Sequence, residues 1–308
     1  MLAIFLKTLP FFGLIGLGWL AARTRFFPEQ GAVWLTKFVF FFALSAMLFR
    51  FAANLDLAAL FDLRFVLAYL IGSSLVWVIG MGAALWRKLP LPEAAMEAQC
   101  CMTGNTGFLG VPMLVVLLGE RATGPVLMVL TIDMLVFSTL ITLIIHASRS
   151  GGLRLATLRP ILMGIVGNPM ILSMVAGLLW SQFHLPMPGP LDEFLSILGA
   201  AATPGALFAI GASLAGRKAA RLLASGWLSA AKLVLHPAAV GVAAILLAVE
   251  PFAAGVMVAA AALPVAGNVY ILAQYFGVAQ QRVSTAILIS TAASIVTVPL
   301  VMLLIGQA

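Results

Sequence analysis

The sequence predicts an all-α polytopic membrane protein with ten transmembrane helices, arranged as two inverted five-helix repeats. Three observations lead to this prediction. The 308 residues are 63% hydrophobic and only 9% charged, and apolar runs of about 20 residues recur along the whole chain. The Lys and Arg residues between these runs fall mainly on one side of the membrane. The fourth and ninth runs are interrupted by Gly, Pro and Asn at corresponding positions.

Each apolar run is long enough to cross a hydrocarbon core of about 30 Å. No stretch between them is long and polar enough for a separate soluble domain. The net charge of +7 comes from short loops and does not indicate a nucleic-acid partner. Cys and His show no metal-ligand spacing, so neither a metal site nor a resident cofactor is expected. The predicted spans are 2–22, 31–52, 63–86, 93–118, 122–146, 159–181, 190–216, 221–249, 251–277 and 282–306.

The distribution of basic residues predicts the orientation of these spans. An even number of spans places both termini on one side of the membrane. The opposite side carries twelve basic residues, Arg23, Arg25, Lys37, Arg87, Lys88, Arg149, Arg154, Arg159, Arg217, Lys218, Arg221 and Arg282. The side of the termini carries three, Arg50, Arg64 and Arg121. Because basic loops stay in the cytoplasm, both termini are expected outside it.

Short matches between the halves predict a repeat of residues 1–150 in residues 151–308. An offset of 159 residues relates Pro10 and Gly18 to Pro169 and Gly177, and Ser45–Phe49 to Pro204–Phe208. An offset of 163 relates Gly104 and Asn105 to Gly267 and Asn268. Five spans are an odd number, so the second half enters the membrane in the opposite sense. Such inverted repeats are typical of secondary transporters.

The two interrupted stretches, Gly104–Pro112 and Leu263–Asn268, are the predicted binding site. Lipid tolerates broken backbone only where it is buried in protein or lines a watery cavity. We expect both spans to unwind and cross near the midplane, with new half-helices beginning near Gly110–Pro112 and near Asn268–Tyr270. Their positive N-terminal ends favour an anionic group. The alternative is a pair of kinks satisfied by neighbouring helices. The predicted substrate-binding residues are Gly104, Asn105, Thr106, Gly107, Pro112, Pro264, Val265, Gly267 and Asn268.

Three ionisable residues inside spans are candidates for coupling or charge pairing. An ionised Asp133 near the middle of span 5 costs about 2.5–3.5 kcal/mol on insertion scales, so we expect it to face protein or water and to bind a coupling proton or Na⁺. Packing against hydroxyls is the alternative. Lys232 and His236 share one helical face and lie in span 8. Lys232 is expected to pair with Asp133, structurally or functionally, or to meet a substrate carboxylate. His236 is either functional or part of a kink at Pro237.

Other polar and aromatic residues have simpler interpretations. Glu97 and Gln99 lie near the cytoplasmic end of span 4 and are expected to be solvated, and Arg50 is expected to snorkel to the membrane surface. Span 2 carries four aromatic residues that face either lipid or a second copy of the chain, so the bilayer and a homodimer partner are both candidate contacts. These residues are Phe38, Phe40, Phe41 and Phe42.

Three stretches resemble the auxin efflux carrier family, within the bile/arsenite/riboflavin transporter superfamily. They are Gly104–Pro112 with Gly119, Ala206–Gly211, and Leu263–Asn268 with Ala273 and Gly277. The resemblance covers essentially the whole chain. It implies a support unit of spans 1, 2, 6 and 7, and a transport unit of spans 3–5 and 8–10. It also implies carriage of small organic anions across the bacterial inner membrane. One departure is Ser45, where members of the family usually carry Pro.

The predicted function is therefore secondary active transport of small organic anions by alternating access, coupled to a proton or Na⁺ gradient. A carrier of neutral or zwitterionic metabolites and a non-transporting receptor on the same fold are alternatives. An enzyme is not expected, because none of the P-loop, HExxH or GxSxG motifs is present. Asp133 and His236 would be its only plausible acid–base pair.

Overall fold

The structure is a computed structural model that describes residues 2–54, 62–150, 163, 167–216 and 221–306. Side chains of residues 2–5, 7 and 150 are not described. The predicted start of span 6, at residues 159–162, lies outside the described residues. So do four of the basic residues counted above, Arg154, Arg159, Arg217 and Lys218.

The described chain is almost entirely helical. Among the described residues, six helices are long and apolar enough to cross a membrane, which agrees with a polytopic membrane protein: Glu29–Ala53, Leu63–Trp86, Glu120–Arg149, Gly189–Ala215, Leu222–Leu246 and Gln280–Leu304. Shorter apolar helices lie before and between them. The helices are α1 (Leu2–Arg23), α2 (Glu29–Ala53), α3 (Leu63–Trp86), α4 (Leu91–Met102), α5 (Thr106–Leu118), α6 (Glu120–Arg149), α7 (Pro169–Gln182), α8 (Gly189–Ala215), α9 (Leu222–Leu246), α10 (Pro251–Ala261), α11 (Gly267–Phe276) and α12 (Gln280–Leu304).

One group of packed helices consists of α1, α2, α7 and α8. Glycines bring the backbones of α1 and α8 into contact: a Cβ atom added at Gly211 would lie 1.8 Å from the carbonyl oxygen of Ile15, and one at Gly18 would lie 2.1 Å from that of Phe208. Small residues at such crossings allow the close van der Waals contact that holds helices together in lipid. The α1–α8 interface is therefore built for a fixed, close approach.

A second group is centred on α3, which packs against α4 and against the second half of α9. The first half of α9 packs instead against α12 and α4. Gly72 makes the α3–α9 contact close, because an added Cβ atom would lie 2.7 Å from Cα of Val240. The two helices therefore pack together along the second half of α9 and separate along its first half.

Four π-helical turns interrupt the described helices. They are Val39–Ala43 in α2, Thr106–Gly110 in α5, Asp133–Phe137 in α6 and Ala231–Leu235 in α9. A π turn inserts one residue and frees a carbonyl from the helical ladder, and such turns occur frequently at functional sites. Ser45 donates to the Phe40 carbonyl (3.1 Å), and Ser138 donates to the Asp133 carbonyl (3.0 Å). The hydroxyl of Ser45, the residue that departs from the family pattern, thus stabilises the turn in α2.

Candidate functional site

Two short non-helical segments meet in the interior of the protein. α4 ends at Met102 and α10 ends at Ala261, and helix resumes at Thr106 and Gly267. The segments run antiparallel: Asn105 N–H donates to the Pro264 carbonyl (2.9 Å), and Ala266 N–H donates to the Thr103 carbonyl (3.1 Å). In lipid, broken backbone needs such internal partners. Each break therefore satisfies part of the other's hydrogen bonding.

The ends of four helices converge where these segments pair. The first hydrogen bonds of α5 run from the N–H groups of Leu109 and Gly110 to the Asn105 carbonyl. The N–H groups of residues 106–108 therefore have no acceptor within the helix. α5 begins at Thr106, earlier than the expected start near Gly110–Pro112, because its first turn is a π turn. α11 begins at Gly267. Neither N-terminus is capped by a described side chain, so side chains leave the first N–H groups of both helices uncovered.

A cavity of about 30 Å³ lies beside the paired segments. It brings together two asparagines and one aspartate that are far apart in sequence, Asn105, Asn268 and Asp133. Phe40 lines the cavity rather than facing lipid, whereas the rings of Phe41 and Phe42 are exposed. The lining residues are Phe40, Thr103, Gly104, Asn105, Gly107, Phe108, Leu130, Asp133, Met134, Met170, Ala266 and Asn268.

The remaining predicted site residues lie around this cavity without lining it. Pro264 and Val265 supply backbone groups to the paired segments, and Val265 N–H also donates to Ser290 Oγ (3.1 Å). Pro112 is buried in the second turn of α5, and Gly267 is the first residue of α11. The hydroxyl of Thr106 is buried in the first turn of α5.

Three buried polar atoms near the cavity have no hydrogen-bond partner among the described residues. They are Asp133 Oδ2, Asn268 Oδ1 and Thr106 Oγ. Buried polar groups are normally paired, because an unpaired one costs about 1–3 kcal/mol. An acid, an amide and a hydroxyl left open beside one cavity can hold a ligand, an ion or water.

A hydrogen-bonded network lies behind the cavity. Tyr69 O–H donates to Asp133 Oδ1 (2.9 Å). Lys232 donates to the Ala261 carbonyl and lies 3.2 Å from His236 Nδ1. The other ring nitrogen of His236, Nε2, lies 2.9 Å from Ser73 Oγ. Lys232 thus holds the last carbonyl of α10 and does not form the direct ion pair with Asp133 considered from the sequence.

Sequence reasoning missed Tyr69 and Ser73, although a numerical signal marks both. Tyr69 and Lys232 are 163 residues apart, as are Ser73 and His236. The same separation relates Asn105 to Asn268. Both pairs come from α3 and α9, which pack together. The offset that relates Asn105 to Asn268 therefore marks Tyr69 as the counterpart of Lys232, and Ser73 as the counterpart of His236.

A separate cluster of charges lies at one end of α4, α3 and α12. We call it the ion cluster, and it consists of Arg87, Glu93, Glu97 and Arg282. Arg282 Nε lies 2.7 Å from Glu97 Oε1, Arg87 contacts the other oxygen of Glu97, and Arg282 also contacts Glu93. The expectation that Glu97 is solvated was wrong, because its side chain is fully buried between two arginines.

Two further expectations on polar residues are revised. Gln99 is fully buried rather than solvated, and neither of its side-chain polar atoms has a described partner. Arg50 pairs through two hydrogen bonds with Asp192 of α8, at 2.7 and 3.1 Å. Among the described residues, no group of three or more His, Cys, Asp or Glu could hold a metal ion.

Comparison with known proteins identifies the family. Residues 3–302 match the model of a family described as membrane transport protein. The chain is 34% identical over 294 residues to a Rhizobium meliloti protein named "Putative malonate transporter", covering 94% of this chain and 92% of the relative. It is 26% identical over 302 residues to the Escherichia coli transporter YfdV, covering 95% and 94%. It is 22% identical over 295 residues to auxin efflux carrier component 5 of Arabidopsis thaliana, covering 82% of each.

These relatives are transporters rather than enzymes, as the sequence predicted, and each match spans most of both chains. The family match likewise covers nearly every residue. The chain therefore belongs to the membrane transport protein family that includes the auxin efflux carriers.

Proposed function

We propose that the protein is a secondary transporter of small organic anions, with a dicarboxylate such as malonate as the first candidate. The observation that carries the proposal is the pair of uncapped helix N-termini, those of α5 and α11, beside one buried cavity. Helix N-termini present free N–H groups and partial positive charge to anions. The name of the Rhizobium meliloti relative supports a dicarboxylate.

Asn105 and Asn268 are the proposed substrate ligands. Both line the cavity, and their amide groups supply donors for a carboxylate as well as acceptors for a hydroxyl or a protonated acid. Thr106, with its unpartnered hydroxyl, would add one more donor. Gly107 allows α5 to approach Met170 closely, because a Cβ atom at Gly107 would lie only 2.7 Å from the methyl carbon of Met170. The cavity is therefore narrow at this point.

We also propose that the chain crosses the membrane ten times as two inverted repeats. α4 with α5, and α10 with α11, would each form one broken crossing, and the other eight helices would form one crossing each. The separation of 163 residues shared by three pairs of site residues supports the repeat. The basic loops would face the cytoplasm, with both termini outside.

Alternating access would come from movement between the two groups of helices. The support unit would be α1, α2, α7 and α8, and the transport unit the remaining helices. Phe40 of α2 and Met170 of α7 contribute one wall of the cavity, and the ring of Phe40 stacks on that of Phe108 (6.1 Å between centroids). A cavity of about 30 Å³ holds little more than a water molecule. A dicarboxylate would therefore need this wall to move.

Asp133 would couple a proton to the anion. Its Oδ2 lies open beside the cavity, so an ionised Asp133 would repel a carboxylate there. Two unit charges 4 Å apart interact by about 4 kcal/mol at an effective dielectric constant of 20. Protonation removes this repulsion, so proton binding and anion binding favour each other. Na⁺ held by Asp133 Oδ2 and Asn268 Oδ1 would act in the same sense.

Uptake by proteoliposomes tests the proposal. Purified protein would be reconstituted, and entry of labelled malonate and of other small dicarboxylates would be measured under an imposed pH or Na⁺ gradient. We expect accumulation by the wild type and a loss of at least tenfold in Asn105→Ala and Asn268→Ala, because a hydrogen bond to a charged group contributes about 1.5–3 kcal/mol. Asn54→Ala, at the exposed end of α2, is the matched control and should transport normally.

Two results would overturn the proposal. Absence of uptake and exchange for every dicarboxylate, together with specific binding of one of them, would favour the receptor interpretation. Equal transport by Asn105→Ala, Asn268→Ala and the Asn54→Ala control would place the substrate somewhere other than this cavity.

A further inference from the structure

A second cavity of the described chain is separate from the paired segments. It has a volume of about 750 Å³ and lies where the C-terminal end of α3 faces the first turns of α9. We call it the α3–α9 groove. It opens there because α9 packs against α3 only through its second half, while its first half packs against α12 and α4. The beginning of α12 contributes Arg282 to the groove.

The groove combines positive charge with exposed apolar side chains. Arg87, Arg221 and Arg282 line it. Arg87 and Arg282 contact the carboxylates of the ion cluster, whereas Arg221 is exposed and has no described partner. Three arginines against the two carboxylates Glu93 and Glu97 leave one positive charge uncompensated. The groove therefore attracts an anion.

The walls of the groove restrict which anion fits. Leu223 is 92% exposed and Trp86 is 87% exposed, and Trp227 and Leu222 also present apolar surface. Such surface is stable against hydrocarbon rather than water, and Trp is enriched where lipid headgroups meet acyl chains. Inorganic phosphate would fill only a small part of 750 Å³ and would leave these walls uncovered.

We propose that the α3–α9 groove binds an anionic phospholipid. The phosphate would lie at Arg221, and the acyl chains would run along Leu222, Leu223 and the indole rings of Trp86 and Trp227. Basic pockets between transmembrane helices bind lipid headgroups in this way. The lipid would contact α3, α9 and, through Arg282, α12, so it would stabilise the end of the protein that carries the ion cluster. This inference does not depend on the identity of the transported substrate.

Lipid selectivity tests the site. Native mass spectrometry and thermal unfolding in detergent would compare dioleoyl phosphatidylglycerol with dioleoyl phosphatidylcholine, which share the same chains. We expect the wild type to prefer phosphatidylglycerol and Arg221→Gln to lose about fivefold in affinity for it, the effect of one basic residue near an anionic surface. Arg64→Gln, the same change at the exposed opposite end of α3, should keep the preference.

A second measurement locates the lipid without depending on Arg221. Phosphatidylglycerol with brominated chains should quench the tryptophan fluorescence of the wild type more than brominated phosphatidylcholine does, and Trp86→Phe should lose much of that difference. Equal binding of the two lipids, an unchanged preference in Arg221→Gln, or equal stabilisation by inorganic phosphate would overturn the proposal.

Discussion

Two carboxylates are buried to nearly the same extent in this protein, and their surroundings differ completely. Glu97 is 0% exposed and Asp133 is 3% exposed. In the ion cluster, each oxygen of Glu97 faces an arginine. Beside the cavity, Asp133 has one oxygen bonded to Tyr69 and one oxygen with no described partner. The nearest buried cation of that network, Lys232, is bound to a carbonyl instead.

The difference indicates separate roles for the two carboxylates. A carboxylate with an arginine at each oxygen has its charge compensated inside the protein. Removing either partner of such an ion pair leaves the other as an uncompensated charge in the interior. A carboxylate with one open oxygen at a cavity can gain or lose a proton, an ion or a ligand with little rearrangement of its neighbours. We therefore expect Glu97 to govern stability and Asp133 to govern transport.

Removing Glu97 should cause the largest loss of stability. Glu97→Ala leaves Arg282, which is only 7% exposed, with Glu93 alone. Breaking a buried ion pair typically costs about 3–5 kcal/mol. Thermal unfolding in detergent would measure the loss, with the exposed Glu29→Ala as the matched control. An unfolding midpoint equal to that of the control would contradict the role assigned to the ion cluster.

Glu97 also illustrates the limit of prediction from this sequence. Near the end of an apolar span, an acidic residue is ordinarily solvated, and one of the two arginines that flank Glu97 lies far away in sequence, in α12. The breaks in α4/α5 and α10/α11 are different, because Gly, Pro and Asn disfavour a continuous helix locally. The π turn that places Phe40 in the cavity also depends on tertiary packing. Its position could not be read from the aromatic-rich run Phe38–Phe42.

Replacing Lys232 should have the second-largest effect. Lys232→Met keeps an unbranched side chain one atom shorter but removes the donor to the Ala261 carbonyl at the end of α10. A buried acceptor left without a partner costs about 1–3 kcal/mol. Thermal unfolding would be compared with that of Lys37→Met, an exposed lysine over the ring of Trp34. If the stability of Lys232→Met exceeds that of the wild type, desolvation of the ammonium group outweighs its hydrogen bonds.

The pair between Arg50 and Asp192 should have a smaller effect. Both side chains are about one-third exposed, at 34% and 38%, so water and salt screen their attraction. Single substitutions to Gln and Asn and the double substitution should unfold close to the wild type in a double-mutant cycle. A coupling free energy as large as that between Glu97 and Arg282 would contradict this expectation. It would show that a partly exposed charge pair stabilises the protein as much as a buried one.

Asp133→Asn should have the smallest effect on stability and a large effect on transport, which is the sharpest test of the comparison. Asn keeps an acceptor for the hydroxyl of Tyr69 and removes a charge with one unpartnered oxygen, so unfolding should stay the same or shift to higher temperature. Tyr69, Lys232 and His236, the other ionisable groups of the network, are retained. In the wild type, affinity for the dicarboxylate should rise as the pH falls, because protonation removes the repulsion. Asp133→Asn should bind with little dependence on pH and should lose gradient-driven accumulation, whereas Asp192→Asn should keep both. Full gradient-driven uptake by Asp133→Asn would show that the open carboxylate oxygen has no part in coupling.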